Sequence, residues 1–439
     1  MDTVAAKDIQ ANDPTLLDDI RDALASCMRC GNCMAVCPIY KETKNEASVA
    51  RGKLALMEGM LSGKVEMSAG FDHVLGKCLC CKACAANCPC GVKADELIVR
   101  GRQAAVQARG LHPIKNLVFK LLANRRLFDA ALRTAGMFGP LSFKKVPGKV
   151  GAIARFPMPG IDRKRVTAPF AATPLRSKYP EVIKADHAKC KVAFFTGCTI
   201  NYMYTDVGDS VINVLHHNDI EVVMPPAQHC CGTPVYVSGD KTLAETFARH
   251  IIDVFGECNV DYVVAACGSC AEALKLEYPR MFKNDPVMYK KAQALAAKTY
   301  EISEFLVDVM PMRRDDLGEV KKTVTMHDPC HMARGIKVTA QPREILRSIP
   351  GLDFIEMKDA DRCCGSGGSF SLANYPLSRR INDRKVKNIE ASSAEIVATS
   401  CGTCRMHLTD GLEQNNVDAS VVHVIQLLDA SYKAGEAKV

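Results

Sequence analysis

Two kinds of hydrophobic pattern alternate along this chain. Apolar residues at helical spacing fill 48–61, 241–257 and 376–390, which predicts helices there. The short apolar run at 192–195 and the mainly apolar stretch at 324–326 are typical of buried strands. Strands that alternate with helices predict parallel α/β sheets in the second half of the chain, whereas the helix at 48–61 predicts a helix-rich first hundred residues.

The middle of the chain shows a different pattern. Residues 111–138 have the spacing of an amphipathic helix that Arg125 interrupts, with apolar positions at Ile114, Leu117, Val118, Leu121, Leu122, Phe128 and Leu132. An extended connector is predicted for 144–180, where prolines recur at Pro147, Pro157, Pro159, Pro169, Pro174 and Pro180. Either the helix packs on a neighbouring domain with a solvated basic face, or it docks on anionic lipid or an acidic partner.

Charge is concentrated in the same region. From Arg100 to Lys178 there are 17 Lys and Arg against two acids, a balance of +15, so the rest of the chain carries 8 − 15 = −7. A single basic segment between mildly acidic regions favours a docking surface and not a nucleic-acid-binding protein.

The second half of the chain contains an internal repeat. Cys198, Cys230 and Cys267 recur as Cys330, Cys363 and Cys401, at offsets of 132, 133 and 134 residues. In both copies a strand ends in a cysteine, a vicinal pair precedes a glycine, and C-x2-C follows a later strand. Such closely matching offsets indicate duplicated domains.

The first hundred residues contain two complete C-x2-C-x2-C-x3-C-P runs, Cys27–Pro38 and Cys78–Pro89. In this spacing the first three thiolates hold one iron–sulfur cubane, and the fourth, before proline, binds the other. We therefore predict two 4Fe–4S clusters. Cluster one is assigned to Cys27, Cys30, Cys33 and Cys88, and cluster two to Cys78, Cys81, Cys84 and Cys37.

Zinc knuckles are the alternative for these runs, but they do not need a third cysteine or the C-P ending. Cys80 and Cys90 fall outside the ligand spacing, and we predict that both are packing residues.

Each copy of the repeat offers five cysteines at the carboxyl ends of predicted strands, where ligands gather in such sheets. Zinc uses four ligands, so five thiolates favour an iron–sulfur cluster in at least one half, while zinc and uncomplexed redox thiols remain alternatives. His327, His331 and His407 flank the second set and either hydrogen-bond cluster sulfurs, relay protons, or are packed polar residues.

Other features exclude several classes. The glycines of 365–369 lack the dinucleotide-binding spacing, and we find no Walker motif, which argues against nucleotide binding. The 22 cysteines of so long a chain do not fit a small disulfide scaffold. The polar first residues contain no secretion signal and no run of eighteen apolar residues occurs, so we expect a cytoplasmic protein, peripheral on the membrane at most.

These motifs together resemble the heterodisulfide reductase D-type subunits and the iron–sulfur subunits of glycolate oxidase, D-lactate dehydrogenase and anaerobic glycerol-3-phosphate dehydrogenase. The stretches 327–331 and 363–370 are most similar to the glycolate oxidase and lactate-utilisation branch. The resemblance implies a noncubane 4Fe–4S cluster on five cysteines in one or both cysteine-rich (CCG) repeats. The ligands would be Cys198, Cys230, Cys231, Cys267 and Cys270, or Cys330, Cys363, Cys364, Cys401 and Cys404.

The resemblance also implies the function. We expect an electron-transfer subunit that receives electrons from a separate flavoprotein 2-hydroxyacid dehydrogenase and passes them to a quinone, a membrane partner or another carrier. The alternative is a heterodisulfide or disulfide reductase subunit that uses a cluster of the repeats.

The predicted fold is an α+β multidomain protein, an α-helical ferredoxin-type domain followed by two tandem α/β cysteine-rich domains. The expected boundaries are 1–105 for the ferredoxin-type domain, 106–185 for the basic connector, and 186–318 and 319–439 for the two repeats.

Overall fold

The computed structural model describes residues 14–146, 151–156, 162 and 164–437. These form two compact units. Unit one comprises the first segment up to Leu121 together with 234–244 and 367–381, and unit two contains the remainder. Residues 1–13, at the start of the predicted ferredoxin-type domain, and the predicted connector prolines Pro147, Pro157 and Pro159 lie outside the described residues.

Unit one is helical, and its described part contains no strand. The predicted helix at 48–61 is confirmed as Ala50–Leu61, which buries Leu54, Met57 and Met60. Its α-helices include Arg21–Ala25, Asn32–Val36, Pro38–Thr43, Ala50–Leu61, Ala69–Gly76, Ala83–Ala86, Ala94–Arg109, Ser369–Ala373 and most of Pro113–Ala123 and Thr233–Val237, with 3-10 helices at Pro14–Ile20 and Glu46–Ser48. Residues such as Phe71, Leu75 and Ile98 complete one hydrophobic core under the cysteine runs.

The first repeat of unit two is built on a five-stranded sheet. The strand order is Val182–Ile183, Ile220–Val223, Cys190–Phe195, Tyr262–Ala265 and Thr299–Glu301, and all pairs are parallel except the first. Around it lie the helices Gly197–Tyr202, Thr205–His217, Lys241–Gly256, Gly268–Glu272, Tyr278–Met281, Pro286–Ala297 and Ile302–Glu304, with π-helical turns at Ala273–Glu277 and Phe305–Val309.

The second repeat reproduces this arrangement on four parallel strands. Their order is Leu352–Phe354, Lys322–Met326, Ile396–Thr399 and Ser420–His423. Its helices are Ala340–Ser348, Tyr375–Ser392, Gly402–Gln414 and Val424–Glu436, with a π-helical turn at His331–Ile336. The predicted helices at 241–257 and 376–390 are thus confirmed, as are the parallel sheets.

The two repeats share one hydrophobic core. Buried residues of both central strands, including Phe194 and Met326, belong to a single cluster with Leu428. The Ser210 hydroxyl of the first repeat donates to Asp429 Oδ2 of the second at 2.8 Å. The two repeats therefore pack against each other through shared buried residues.

The basic segment departs from its prediction in two ways. The helix expected over 111–138 is two helices, Pro113–Ala123 and Arg125–Ser142, because Asn124 caps the second by accepting from Leu127 N at 3.2 Å. The connector expected to be extended contains a small antiparallel sheet of Phe143–Lys145, Ala152–Ala154 and Val166–Thr167.

Among the helices of the described ranges, none combines the length and the apolar character needed to cross a bilayer.

Candidate metal centres

The first cysteine run owes its shape to the proline that ends it. Cys37 stands between two short helices, Asn32–Val36 and Pro38–Thr43, with extended backbone at φ −74° and ψ 118°. Pro38 occupies the first position of the second helix, where its missing N–H costs nothing. Cys37 is thereby turned away from the three cysteines that precede it.

The structure brings Cys37 together with Cys78, Cys81 and Cys84, the set predicted for cluster two. All four line one cavity of unit one. The pKa of the Cys37 thiol is raised to about 11, mainly by burial and to a smaller extent by the nearby Cys81 and Cys78. The pKa of Cys84 is raised by burial and then by Cys78 and Cys81.

The set predicted for cluster one is grouped on the same hydrophobic core. Cys27, Cys33 and Cys88 pack against this core, and Cys30 is exposed. The Cys33 thiol has its pKa raised by burial and by the neighbouring Cys27 and Cys30. The Asn87 side-chain amide, one residue before Cys88, donates to Asn32 O at 3.0 Å and ties the second run to the first.

Two charged residues beside the second set were not found from the sequence. Lys53 is 1% exposed, and its ammonium donates to Ser48 O in the wall of the cavity. Lys82 forms an ion pair with Asp95 at 2.9 Å in the same wall. A buried lysine inside an apolar helical pattern gives no sequence signal, but its positive charge suits a site that gathers thiolates.

The two cysteines outside the ligand spacing differ. Cys80 is buried as predicted, and its backbone N–H donates to Cys78 Sγ at 3.4 Å. A hydrogen bond from the Cys80 thiol, to which this backbone contact adds a smaller effect, lowers the pKa of Cys78 to about 5. Cys90 is exposed, so the prediction that it is a packing residue is wrong, because Pro89 and Gly91 direct the chain outward after Cys88.

The spacing of donor atoms bears on the zinc alternative. A tetrahedral zinc with 2.3 Å bonds to sulfur needs its ligands roughly 4 Å apart. Within the described residues, the groups of three or more donors that converge within 4.8 Å contain none of the eight cysteines assigned to the ferredoxin-type runs.

In unit two, the first repeat gathers its cysteines at the carboxyl edge of its sheet. Cys198 contacts Cys230, Cys231 lies 3.7 Å from Cys270 between their sulfurs, and Cys267 caps the helix Gly268–Glu272. Hydrogen bonds from Cys230 and Cys270 hold the pKa of Cys231 well below its usual value.

Backbone groups support the first set. The Tyr278 hydroxyl donates to Cys231 O at 2.8 Å. Gly197 has a φ of +60°, and a Cβ there would lie 3.1 Å from Cys270 Sγ. Glycine is therefore required to bring the strand end this close to the thiols.

The second repeat places its cysteines in the same way. Cys401 caps the helix Gly402–Gln414 with a φ of −152° and a ψ of 119°, nearly the values of Cys267. Hydrogen bonds from Cys363 and Cys404 lower the pKa of the Cys364 thiol well below its usual value. Cys330 is half-buried at the start of the π-helical turn His331–Ile336.

The two sets meet inside unit two. Cys267 and Cys401 are hydrogen-bonded to each other, which lowers the pKa of Cys401. Gly268 N donates to Ser400 O at 3.0 Å, and His423 Nε2 lies 3.0 Å from Ala266 O. The two sets are therefore in direct contact through Cys267 and Cys401, a contact that the repeat offsets do not predict by themselves.

The three histidines of the second set have different environments. His331 Nδ1 contacts the buried carboxylate of Glu272, and the carbonyl of His407 accepts from the Asn382 amide. His327 is fully buried beside Cys364 and Cys404. The pKa of His327 is lowered to about 3, mainly by burial and to a smaller extent by the neighbouring Lys385. The imidazole ring is therefore neutral.

These residues fit iron–sulfur centres. The donors are thiols, which are the ligands of iron–sulfur clusters. Eight of these eighteen cysteines are buried, and all of the others except the exposed Cys30 are partly buried. The imidazole of His327 is a buried polar group that the described residues leave without a hydrogen bond, as expected beside a group that binds there.

Comparison with known families agrees with this geometry. Residues 23–92 match the family described as a 4Fe-4S dicluster domain. Residues 192–275 and 324–409 match the family described as a cysteine-rich domain, CCG. The two cysteine-rich matches contain the two sets of five cysteines described above.

Curated relatives match most of their own length. Lactate utilization protein A of Geobacillus sp. (strain WCH70) is 37% identical over 242 residues, which cover 55% of this chain and 99% of that protein. This chain belongs to that family. A probable glycolate oxidase iron-sulfur subunit of Bacillus subtilis (strain 168) is 29% identical over 415 residues, covering 92% of this chain and 93% of the relative.

An uncharacterized iron-sulfur protein of Methanococcus maripaludis is 28% identical over 421 residues, covering 94% of this chain and 74% of that protein. The predicted fold class is confirmed, because a helical 4Fe-4S region is followed by two cysteine-rich domains. This family member is accordingly an iron–sulfur protein.

Proposed function

We propose that this chain is the iron–sulfur electron-transfer subunit of a flavin-dependent 2-hydroxyacid dehydrogenase of the glycolate or lactate type. It receives electrons from a separate flavoprotein and delivers them to a quinone or another carrier. The observation that carries the proposal is the combination of two ferredoxin-type cysteine runs with two buried sets of five cysteines in one chain. Relatives named glycolate oxidase iron-sulfur subunit and lactate utilization protein A support the substrate class.

The residues have separate tasks in this proposal. Cys37 with Cys78, Cys81 and Cys84, and Cys88 with Cys27, Cys30 and Cys33, would hold the two cubanes, and the repeat sets would hold one or two further centres. When bound, iron–sulfur clusters supply one-electron redox chemistry. The chain's own contribution is to shield these centres from water and to place positive charge, as at Lys53, beside a thiolate-rich site.

The assignment of substrate oxidation to a separate subunit follows from the sequence, which contains neither the dinucleotide-binding glycine spacing nor a Walker motif. A chain built around thiol sets, with no such cofactor motif, is suited to carry electrons and not to remove hydride from a hydroxy acid.

Anaerobic purification with a tagged flavoprotein partner from the same cell tests the proposal. We expect glycolate or lactate to bleach the visible absorption of the complex, while the isolated chain stays unbleached until a reduced flavoprotein is added. Bleaching of the isolated chain by a hydroxy acid, or failure of any flavoprotein to copurify and reduce it, would contradict the proposal.

One observation favours a second candidate, a disulfide reductase. The two cysteine sets are in direct contact through Cys267 and Cys401, so a small disulfide placed there would meet both sets. Reduction of a small disulfide by the purified chain with an artificial electron donor would support this candidate, and its absence under conditions where the clusters are reduced would exclude it.

The acceptor side of the proposal includes a membrane surface. Helix Arg125–Ser142, itself part of unit two, packs there through Phe128, whose ring lies edge-on to Tyr202 at 5.4 Å. Its opposite face exposes Leu127, Met137, Phe138 and Leu141, each by more than half. An exposed apolar helix face within a segment of charge +15 has the features of a helix that lies on anionic lipid.

A further inference from the structure

His327 occupies an unusual position at the end of the strand Lys322–Met326. Its side chain is 0% exposed. Its backbone N–H donates to Ala398 O at 2.9 Å, but in the part of the chain that the structure describes neither ring nitrogen has a hydrogen-bond partner. A buried polar ring without partners is unfavourable, since it has lost its water and gained nothing in exchange.

The surroundings of the ring indicate what satisfies it. A ring nitrogen of His327 and the sulfurs of Cys364 and Cys404 all lie within 4.8 Å of one another. Cys364 and Cys404 also contact each other. Three donors that converge in this way have the spacing of ligands that could bind one metal centre.

The internal repeat supplies a comparison within the same molecule. In the register that aligns Cys330 with Cys198, the counterpart of His327 is Phe195. Phe195 is 1% exposed and packs against Phe255, with ring centroids 5.5 Å apart. The same strand end therefore accepts a purely apolar ring, so the fold does not need an imidazole there. The difference between the two repeats is chemical.

We propose that His327 is a nitrogen ligand of the metal centre held by Cys364 and Cys404, whereas the centre of the first repeat is held by thiolates alone. The inference rests on the proposed function, in which the repeats hold iron–sulfur centres.

A ligand of this kind would make the two centres inequivalent. A neutral imidazole adds a donor to the centre without adding negative charge, and histidine ligation raises the reduction potential of iron–sulfur centres. The second repeat would then hold the more easily reduced centre of the two.

Nitrogen hyperfine spectroscopy tests the ligand directly. The full-length wild-type chain is reconstituted anaerobically with iron and sulfide, poised to make the repeat centres paramagnetic, and measured by pulsed EPR. We expect one centre with a strong nitrogen coupling that changes when the protein is grown with ¹⁵N-histidine. This readout needs no variant, so it does not depend on how a substitution affects folding.

Variants then identify the residue. His327→Phe, which installs the counterpart residue, should remove the strong coupling and leave the first-repeat centre intact. His327→Cys should retain iron, lose the nitrogen coupling and lower the midpoint potential of that centre. His229→Phe is the matched control, because His229 adjoins Cys230 of the first set and its Nδ1 is already bonded to Cys230 O at 2.9 Å. It should leave the coupling unchanged.

The outcomes separate this inference from the function on which it rests. Iron in the second repeat with no coupling to labelled histidine, or only the weak coupling of a hydrogen bond, overturns the ligand and leaves the proposed function standing. A wild-type protein whose iron content is unaffected by loss of Cys363 and Cys364 overturns both the ligand and the assignment of a centre to this repeat.

Discussion

The assignment of Cys37 to cluster two can be tested by pairwise substitution. Cys37 belongs to the first run but lies in a cavity with Cys78 and Cys84 of the second. If it binds the cluster of those cysteines, removing Cys37 and Cys84 together damages one cluster. Removing Cys37 and Cys33 together damages two.

The magnitude follows from four iron ions per cubane. With cross-ligation, Cys37→Ala/Cys84→Ala should lower iron by about four per chain, and Cys37→Ala/Cys33→Ala by about eight. Ligation within each run predicts the reverse, about eight for the first pair and about four for the second. The effects of removing two ligands of the same cluster do not add, because the first removal already damages that cluster. The pair whose iron losses do not add therefore shares a cluster.

The assay is iron and acid-labile sulfide per chain after anaerobic reconstitution, with low-temperature EPR of the reduced protein. Differences from wild type are compared, because the repeats also bind iron in our proposal. Cys90→Ala is the control, since Cys90 is exposed and outside the ligand spacing, and it should retain wild-type iron. A loss of about four for the Cys37/Cys33 pair and about eight for the Cys37/Cys84 pair would refute the reasoning.

Three further predictions concern other parts of the chain. Cys363→Ser/Cys364→Ser should lower iron by about four and leave the ferredoxin-type signals intact, whereas unchanged iron content would favour redox thiols. Leu141→Glu should weaken co-sedimentation with vesicles of anionic lipid, and added salt should weaken it further. Val287→Glu, which changes another exposed apolar residue, should leave this co-sedimentation unchanged. Equal effects of the two substitutions would argue against docking through the helix that contains Leu141. Burial raises the pKa of Glu301 to about 7, so the folded protein binds a proton on this carboxyl more tightly than the unfolded chain does. The resulting stabilisation of about 3 kcal/mol is present below pH 4.5 and is lost as the pH rises to about 7. Glu301→Gln should flatten stability across that range, measured by anaerobic thermal unfolding, and parallel profiles would contradict this.

The sequence predicted the chemistry of the cysteines because their spacing is short and covalently fixed. Three thiols two residues apart, or a cysteine before Pro38, determine local geometry within a few bonds, and the repeat offsets indicate duplication directly. The short, mainly apolar stretches that contain Phe194 and Met326 likewise predicted the central strands.

The features that the sequence did not predict depend on contacts between distant segments. Nothing near Lys53 distinguishes it from a surface lysine of an amphipathic helix, because its burial is decided by cysteines elsewhere in the fold. The contact between Cys267 and Cys401 requires the packing of one repeat on the other. The sequence offered three histidines beside the second cysteine set. His327 is distinguished from the other two by its buried position beside Cys364 and Cys404 and by comparison with Phe195, the residue at the same place in the first repeat.

The division of unit one into three chain segments has a consequence for how the protein is made. The Arg102 guanidinium donates to Val237 O at 2.6 Å, and a Cβ at Gly367 would lie 2.5 Å from the Leu79 side chain. Residues far along the chain thus pack beside the second cysteine run. During synthesis unit one remains incomplete until about residue 381 has left the ribosome. A fragment that ends at residue 121 therefore lacks two of the three segments of unit one.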